Sequence, residues 1–229
     1  MTDTVWTDGG RRRLAVEVFG DPDGIPVFLL HGTPGSRLGP RPRGPLLPER
    51  TTRAAVLVGL APRGADGLDW FDGMAQSNVL EFTAAAAGFD GISAFLKAPV
   101  DSIRANPASL LASLQAELPA PDQRVVADSR IRSMLVETYA EALRTSAYGW
   151  IDDALAFTSP WGFDPADITV PVLLWHGAND VFSPASHARW LAERITGATV
   201  IVQADAAHFG ALDVLPDILR WLSASRPAA

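Results

Sequence analysis

Cysteine is absent from the 229 residues, which removes disulfides, thiolate nucleophiles and cysteine-based zinc sites at once. Basic residues are in deficit: 19 Lys and Arg against 26 Asp and Glu leave a net charge of −7. A chain this acidic is a poor partner for nucleic acid or an anionic membrane surface. Long hydrophobic runs are missing too. The longest, Ala54–Ala61, falls far short of the roughly 20 residues that span a bilayer. Met1–Thr4 carries no apolar stretch of the kind a secretion signal needs, so the expected setting is cytoplasmic. Internal repeats, low-complexity tracts and flexible linkers are also lacking.

What is present suffices for one well-buried core, since 48% of the residues are hydrophobic. The front of the chain reads as strands. Thr4–Trp6 and Leu14–Phe19 flank Asp8-Gly9-Gly10, a hairpin turn. After the turn Gly20–Pro26 come short continuous apolar runs at Val27–Leu30, Ala54–Leu60, Val170–Gly177 and Ala198–Ala204. Such runs fit strands buried on both faces of a parallel sheet.

Helical patterns fill the intervals. Asn106-Pro107 reads as an N-cap and first helical residue, Pro119 as the stop, and Leu110, Leu111, Leu114 and Leu118 share a face between them. Ile131–Arg144 has similar periodicity, Ser183-Pro184 starts a helix that exits at Gly197, and Pro216–Leu222 reads as the last helix. Ser223–Ala229 reads as a frayed end. The fold class expected is α/β with a mostly parallel sheet and antiparallel N-terminal strands. Between two sheet strands, the 88 residues Arg63–Trp150 show helical patterns and no clear strand. They are expected to form a helical lid over the carboxyl ends of the strands, where open α/β sheets bind ligands. The expected division is residues 1–62 and 151–229 as one discontinuous core, with residues 63–150 as the lid.

Three stretches carry chemistry. In "FLLHGTPGS", Phe28–Ser36, a buried strand ends in His31-Gly32-Thr33-Pro34-Gly35, and the peptide N–H of Thr33 is free to point into a site. A plain turn after a strand is the competing reading. No Gly-Lys-Ser/Thr follows, so a phosphate loop is excluded. "LLWHGANDVFSP" places Asp180 just past one buried strand, and "VIVQADAAHFG" places His208 just past the next. Each alone is an ordinary loop residue. Together, adjacent parallel strands would bring a carboxylate and an imidazole to one edge, where the acid fixes the histidine tautomer and stabilises its cation.

These segments resemble the α/β-hydrolase family: "HGTPG", "PERTTRAAVLVGLAP" ahead of the lid, "VPVLLWHGAND" with Pro184, and "AAHFG". The resemblance covers nearly the whole chain. It implies a backbone oxyanion donor at Thr33, a tight turn at Pro34 that admits a cis bond, Asp180 as triad acid and His208 as general base. The family's nucleophile, however, sits on a G-x-S-x-G elbow, and that pattern occurs nowhere in the sequence. "GSRLG" at Gly35–Gly39 has its serine in the wrong place, and the aspartate version of the elbow is missing as well.

By family order, a strand, helices, the elbow strand and its helix belong between "HGTPGSRLGPRPRGPLL" and "PERTTRAAVLV". Here the two meet near Leu47–Pro48. Typical element lengths put the missing block at roughly 60–75 residues. The result is expected to be a truncated α/β-hydrolase fold whose sheet closes without two of its strands. The 22 residues Gly32–Arg53 are long enough for the crossover. Helices that shield Val27–Leu30 and Ala54–Leu60 would be lost, so marginal stability or self-association through that face is expected.

Acid and base without a nucleophile cannot run an acyl-enzyme route. The family's second oxyanion donor, the amide after the nucleophile, would be gone too. The leading expectation is an inactive, pseudoenzyme-like relative of hydrolases acting on small, mainly apolar esters or amides. The alternatives are a non-enzymatic binder of a small apolar molecule or partner, and a residual hydrolase using a serine such as Ser36. Ser183 reads instead as a helix cap, and Ser159 precedes a proline. Trp70, Phe71, Met74, Trp161 and Phe163 flank the lid and are candidates for pocket lining, with core packing as the competing reading. Arg11–Arg13, Arg37, Arg41 and Arg43 read as solvated surface, without the interleaved aromatics of a nucleic-acid site. His176 reads as a packed strand-end residue and His187 as a surface helical one. Neither has partners at metal spacing, and no metal or cofactor is implied.

Overall fold

Val172–Gly177, one of the expected apolar runs, is buried at every position and forms the middle strand of a parallel sheet. A computed structural model describes residues 2–7, 12–17, 23, 26–27, 32–35 and 52–224. Of the expected strand Val27–Leu30 only Val27 is among them. His31, Ser36, Arg11, Arg37, Arg41, Arg43 and the Leu47–Pro48 join lie outside the described residues.

The chain has an α/β fold. Strands β1 (Thr2–Thr7) and β2 (Arg12–Glu17) pair antiparallel, as the hairpin reading expects. Strands β3 (Ala54–Leu57), β4 (Val172–Gly177) and β5 (Thr199–Gln203) form a parallel sheet in that order. Side chains alternate across β4, as strand geometry requires. Val172 and Leu174 pack with Ala188 and Leu191 of helix α7 (Ala185–Arg194) and with Ile195 just past its end. Leu173 and Trp175 pack on the other face with Ala206 and with Ile218 of helix α8 (Ala211–Ser223). Coverage on both faces is what makes the strand a continuous apolar run.

Between β3 and β4 lie helices α1 (Gln76–Ala86), α2 (Phe89–Ala105), α3 (Ser109–Leu114), α4 (Ala120–Ala127), α5 (Ser129–Ala142) and α6 (Tyr148–Thr158). Ile92, Leu96, Val100 and Ile103 line one face of α2, at the three- and four-residue spacing of a buried helical stripe. They join Leu135 and Tyr139 of α5 and Trp150, Ile151 and Ala154 of α6 in one cluster. That cluster also contains Phe182 and packs against Val181 and Phe209, so the helical layer rests on the loops that follow β4 and β5.

Several expected boundaries move. The run Ala54–Leu60 is a strand only to Leu57, because Val58 adopts φ +49° and turns the chain off the sheet. Asn106 closes α2 instead of opening a helix, and its Oδ1 accepts from the Ala108 amide to shape the turn into α3. Trp150 lies inside α6, which continues to Thr158. Ser183 caps nothing with its side chain; Pro184 is the residue before α7. The last helix begins at Ala211, with Pro216 inside it. Gly197, at φ +77°, provides the expected exit before β5. Ala54 is buried and the rest of β3 half-buried, while exposed aliphatic side chains appear at the opposite edge, as Val200 and Ile201 of β5.

Candidate functional site

The register of β4 against β5 sets Gly177 opposite Gln203, so both strands end at one edge of the sheet. Their loops are then stitched together. The Ala178 amide donates to the Gln203 carbonyl at 2.8 Å and the Asn179 amide to the Ala206 carbonyl at 3.0 Å. The Asn179 side chain adds a bond to the Ala204 carbonyl at 2.6 Å. Gly177 allows this closeness: a Cβ there would lie 2.5 Å from the backbone of Ala206 and Ala207.

The stitching brings Asp180 and His208 together. Nδ1 of His208 lies 3.0 Å from Oδ2 of Asp180. An ionised carboxylate can only accept, so the ring proton sits on Nδ1 and the Nε2 lone pair is left available. The other carboxylate oxygen accepts from the amides of Phe182 and Ser183, both at 2.9 Å. The Asp180 side chain is fully buried, whereas 29% of the His208 side chain meets solvent. Burial alone would push the Asp180 carboxyl up, but His208 and the backbone donors outweigh it and hold the group below its ordinary range. Burial likewise opposes charge on His208, and the Asp180 carboxylate outweighs it, so the imidazole is raised. Such a ring can take a proton at Nε2 and keep it.

Two further residues join this site. His176, at the end of β4, packs 3.7 Å from Asp180 Oδ2 and places Nε2 at 2.6 Å from the Ser183 carbonyl. Burial pushes it down, against the opposing pull of Asp180 and the Ser183 carbonyl. Asp122, on α4, is fully buried and accepts from the backbone amides of His208 at 3.2 Å and Phe209 at 2.8 Å. Asp122 had no local signal in the sequence, since its partners lie 86 and 87 residues away.

The other expected site residues are not hydrogen-bonded to Asp180 or His208 among the described residues. The Thr33–Pro34 peptide is cis, and Thr33, Pro34 and Gly35 are half-buried beside an exposed Gly32. Among the described residues, no hydrogen bond joins Thr33 to Asp180 or His208. Trp70 is a core residue, 2% exposed, with Nε1 donating to the Ala61 carbonyl. Phe71, in ring contact with it, and Met74 are half-buried. Trp161 packs on the α7 side of the sheet and stacks on Phe163, which is largely exposed. None of these five lines the cleft of about 420 Å³ alongside Asp180, which is walled by Asp72, Asn179, Pro184 and Arg189 among others.

His187 corrects the surface reading of its helix. It is fully buried, its Nδ1 accepting from the Ala61 amide and its Nε2 lying 3.1 Å from the Trp70 carbonyl. Ser159 Oγ donates back to the Leu155 carbonyl, and the Ser183 amide is bound to Asp180. Among the described residues no hydroxyl is hydrogen-bonded to His208 Nε2. No group of three or more acidic or histidine side chains among them could hold a metal ion. No helix among them is long and apolar enough to cross a membrane.

No family model matches the chain, and no curated protein does. Solved structures do resemble it. A hydrolase from Pseudomonas aeruginosa PA01 is 22% identical with a TM-score of 0.44, the match covering 76% of this chain and 55% of that one. Est816, an N-acyl homoserine lactone degrading enzyme, is 16% identical with a TM-score of 0.45, covering 76% and 58%. A member of a set of epoxide hydrolases of the alpha/beta hydrolases superfamily, from metagenomes of hot environments, is 18% identical with a TM-score of 0.45, covering 77% and 60%. The chain thus spans 55–60% of the length of these three structures.

Proposed function

We propose that this chain is an α/β-hydrolase relative that keeps the acid and base of a hydrolytic triad without the nucleophile they serve. The observation that carries the reading is the Asp180–His208 contact of 3.0 Å, formed past the carboxyl ends of two adjacent parallel strands, acid first and base second. The sequence motifs at Gly32–Gly35, Asp180 and His208 support the same relationship. The absence of G-x-S-x-G anywhere in the chain supports the loss of the elbow, with the join near Leu47–Pro48 as the scar.

In a complete site of this kind, His208 Nε2 would take the proton of a nucleophilic hydroxyl while Asp180 steadies the imidazolium. Here that proton has no donor of the right kind, and the acyl-enzyme route has no first step. By the family resemblance, the Thr33 amide is the one oxyanion-hole donor that the sequence keeps. The residues that survive point to an ancestry among hydrolases of small, mainly apolar esters or amides, and the chain itself is inactive or nearly so.

Treatment of the folded protein with a fluorophosphonate, followed by intact-mass measurement, tests this. The expected result is no covalent adduct at equimolar reagent. A stoichiometric adduct that disappears in His208→Ala would overturn the reading, and tryptic mapping to Ser36 would identify the substitute nucleophile.

A further inference from the structure

His208 opens a 3-10 turn, His208–Gly210, that runs directly into α8. The amides of His208 and Phe209 are therefore the first free donors of a continuous helical stretch. Donors in that position need an acceptor, which a preceding Ser, Thr, Asp or Asn ordinarily provides. This chain has alanine at both Ala206 and Ala207, and no residue beside the turn caps it with a side chain. The acceptor comes from α4: Asp122 places one oxygen 3.2 Å from the His208 amide and the other 2.8 Å from the Phe209 amide.

We propose that Asp122 is a positioning residue for His208: a cap supplied in trans by the helical layer, which fixes the turn and so sets where the imidazole meets Asp180. The proposal rests on the assignment of Asp180 and His208 as the acid and base. Three features support it. Asp122 is 0% exposed, so its carboxyl has these two bonds in place of water; burial pushes it up, and the Phe209 and His208 amides offset part of that rise. Its two acceptors are used on consecutive amides, which orients the turn as well as anchoring it. A carboxylate at the positive end of a helix is also favoured electrostatically. By the same geometry, the site and the helical layer form one mechanical unit, because releasing α4 would release the histidine.

The titratable groups facing His208 are Asp180 from the loop after β4, Asp122 from α4 and, behind Asp180, His176 from the end of β4. The Asp122 charge adds to that of Asp180 in raising the imidazole. A residue that merely stabilised the fold would leave the His208 titration unmoved.

The test is NMR on the full, isotope-labelled chain with Asp122→Asn and Asp122→Ala. In both variants the His208 titration midpoint is expected to move to lower pH and its low-field Nδ1–H resonance to weaken. The His187 resonances should stay in place. Asp122→Asn keeps one acceptor oxygen, so the Phe209 amide shift should fall between wild type and Asp122→Ala. An unchanged His208 midpoint and Nδ1–H signal in folded Asp122→Asn would overturn the proposal. Where a variant fails to fold, the wild type decides: correlations across the hydrogen bonds, from the His208 and Phe209 amides to the Asp122 carboxyl carbon, are expected, and their absence overturns it. None of these readouts needs turnover. A fluorophosphonate adduct would overturn the inactive reading of the chain without touching the role of Asp122.

Discussion

His208 Nδ1 meets Asp180 Oδ2 at 3.0 Å, while Asp180 Oδ1 is committed to two backbone amides of its own loop. The carboxylate is thus oriented independently of the histidine, and the histidine is oriented against a fixed acceptor.

The electrostatics of that contact give it a pH window. A carboxyl held below its ordinary 3.8 stabilises the fold above that value and loses its contribution as pH falls through the folded value. An imidazole raised above its ordinary 6.5 stabilises fully below 6.5 and loses its contribution as pH rises through the folded value. The contact therefore contributes most between these two ordinary values. Asp180→Asn should cost about 1.5–3 kcal/mol in urea unfolding at pH 5.5, and less at pH 9. Equal losses at both pH values would mean that the histidine is not charged by the contact.

Glu81 gives the helical layer an opposite dependence on alkali from an ordinary surface glutamate. Its Oε1 accepts from Trp150 Nε1 at 2.7 Å, joining α1 to α6. Burial pushes the carboxyl up to about 7, and the Trp150 donor offsets only part of that rise. A raised acid stabilises fully below its ordinary 4.5 and loses its contribution as pH rises through about 7. The wild type should melt at a lower temperature at pH 8.5 than at pH 5.5, and Glu81→Gln should narrow the difference. A variant with the wild-type pH slope would place the effect elsewhere.

How much of this could be read in advance depended on how local each signal was. The strands β4 and β5 and the edge carrying Asp180 and His208 were legible because apolar runs and the loops after them are contiguous in sequence. The antiparallel pairing of β1 with β2 was legible for the same reason, while the Asp8-Gly9-Gly10 turn itself lies outside the described residues. Asp122 was not, because the cap it supplies is missing 86 residues away and nothing near Asp122 records the debt. His187 was misread because its helix, "ASHARWLAER", looks half polar, while its two backbone partners lie 126 and 117 residues distant. The start of α8 was placed too late because Pro216 resembles a first-turn proline, whereas the cap that begins the helix is not in the adjacent sequence at all.

His187 itself makes an acid-side prediction. It ties the segment after β3 to α7 through the Ala61 amide and the Trp70 carbonyl. Burial pushes it down to about 4. A depressed imidazole contributes stability that is full above its ordinary 6.5 and is lost progressively as pH falls toward about 4. His187→Ala should destabilise by about 2–3 kcal/mol at pH 7.5, since it leaves two buried backbone groups unpaired. The deficit should shrink at pH 4.5. Urea unfolding at the two pH values checks both, and a deficit that grows on acidification would contradict the neutral-histidine strut.

Gly177→Ala tests the stitching that underlies the site. The added Cβ would lie 2.5 Å from the carbonyl carbon of Ala206 and the backbone of Ala207, with no flexible side chain there to give way. Ala207 is fully buried and directly precedes His208, so the strain has to move the histidine loop or the end of β4. Overpacking of this kind costs about 1–3 kcal/mol. The expected outcome is that loss of stability together with a shifted His208 resonance, because the displaced loop pulls Nδ1 away from Asp180. Tyr139 and Trp150, which belong to the helical layer, should keep their wild-type signals. Stability at the wild-type level would show that the Ala206–Ala207 backbone yields freely, and the close approach of the two loops would then not be what fixes Asp180 against His208.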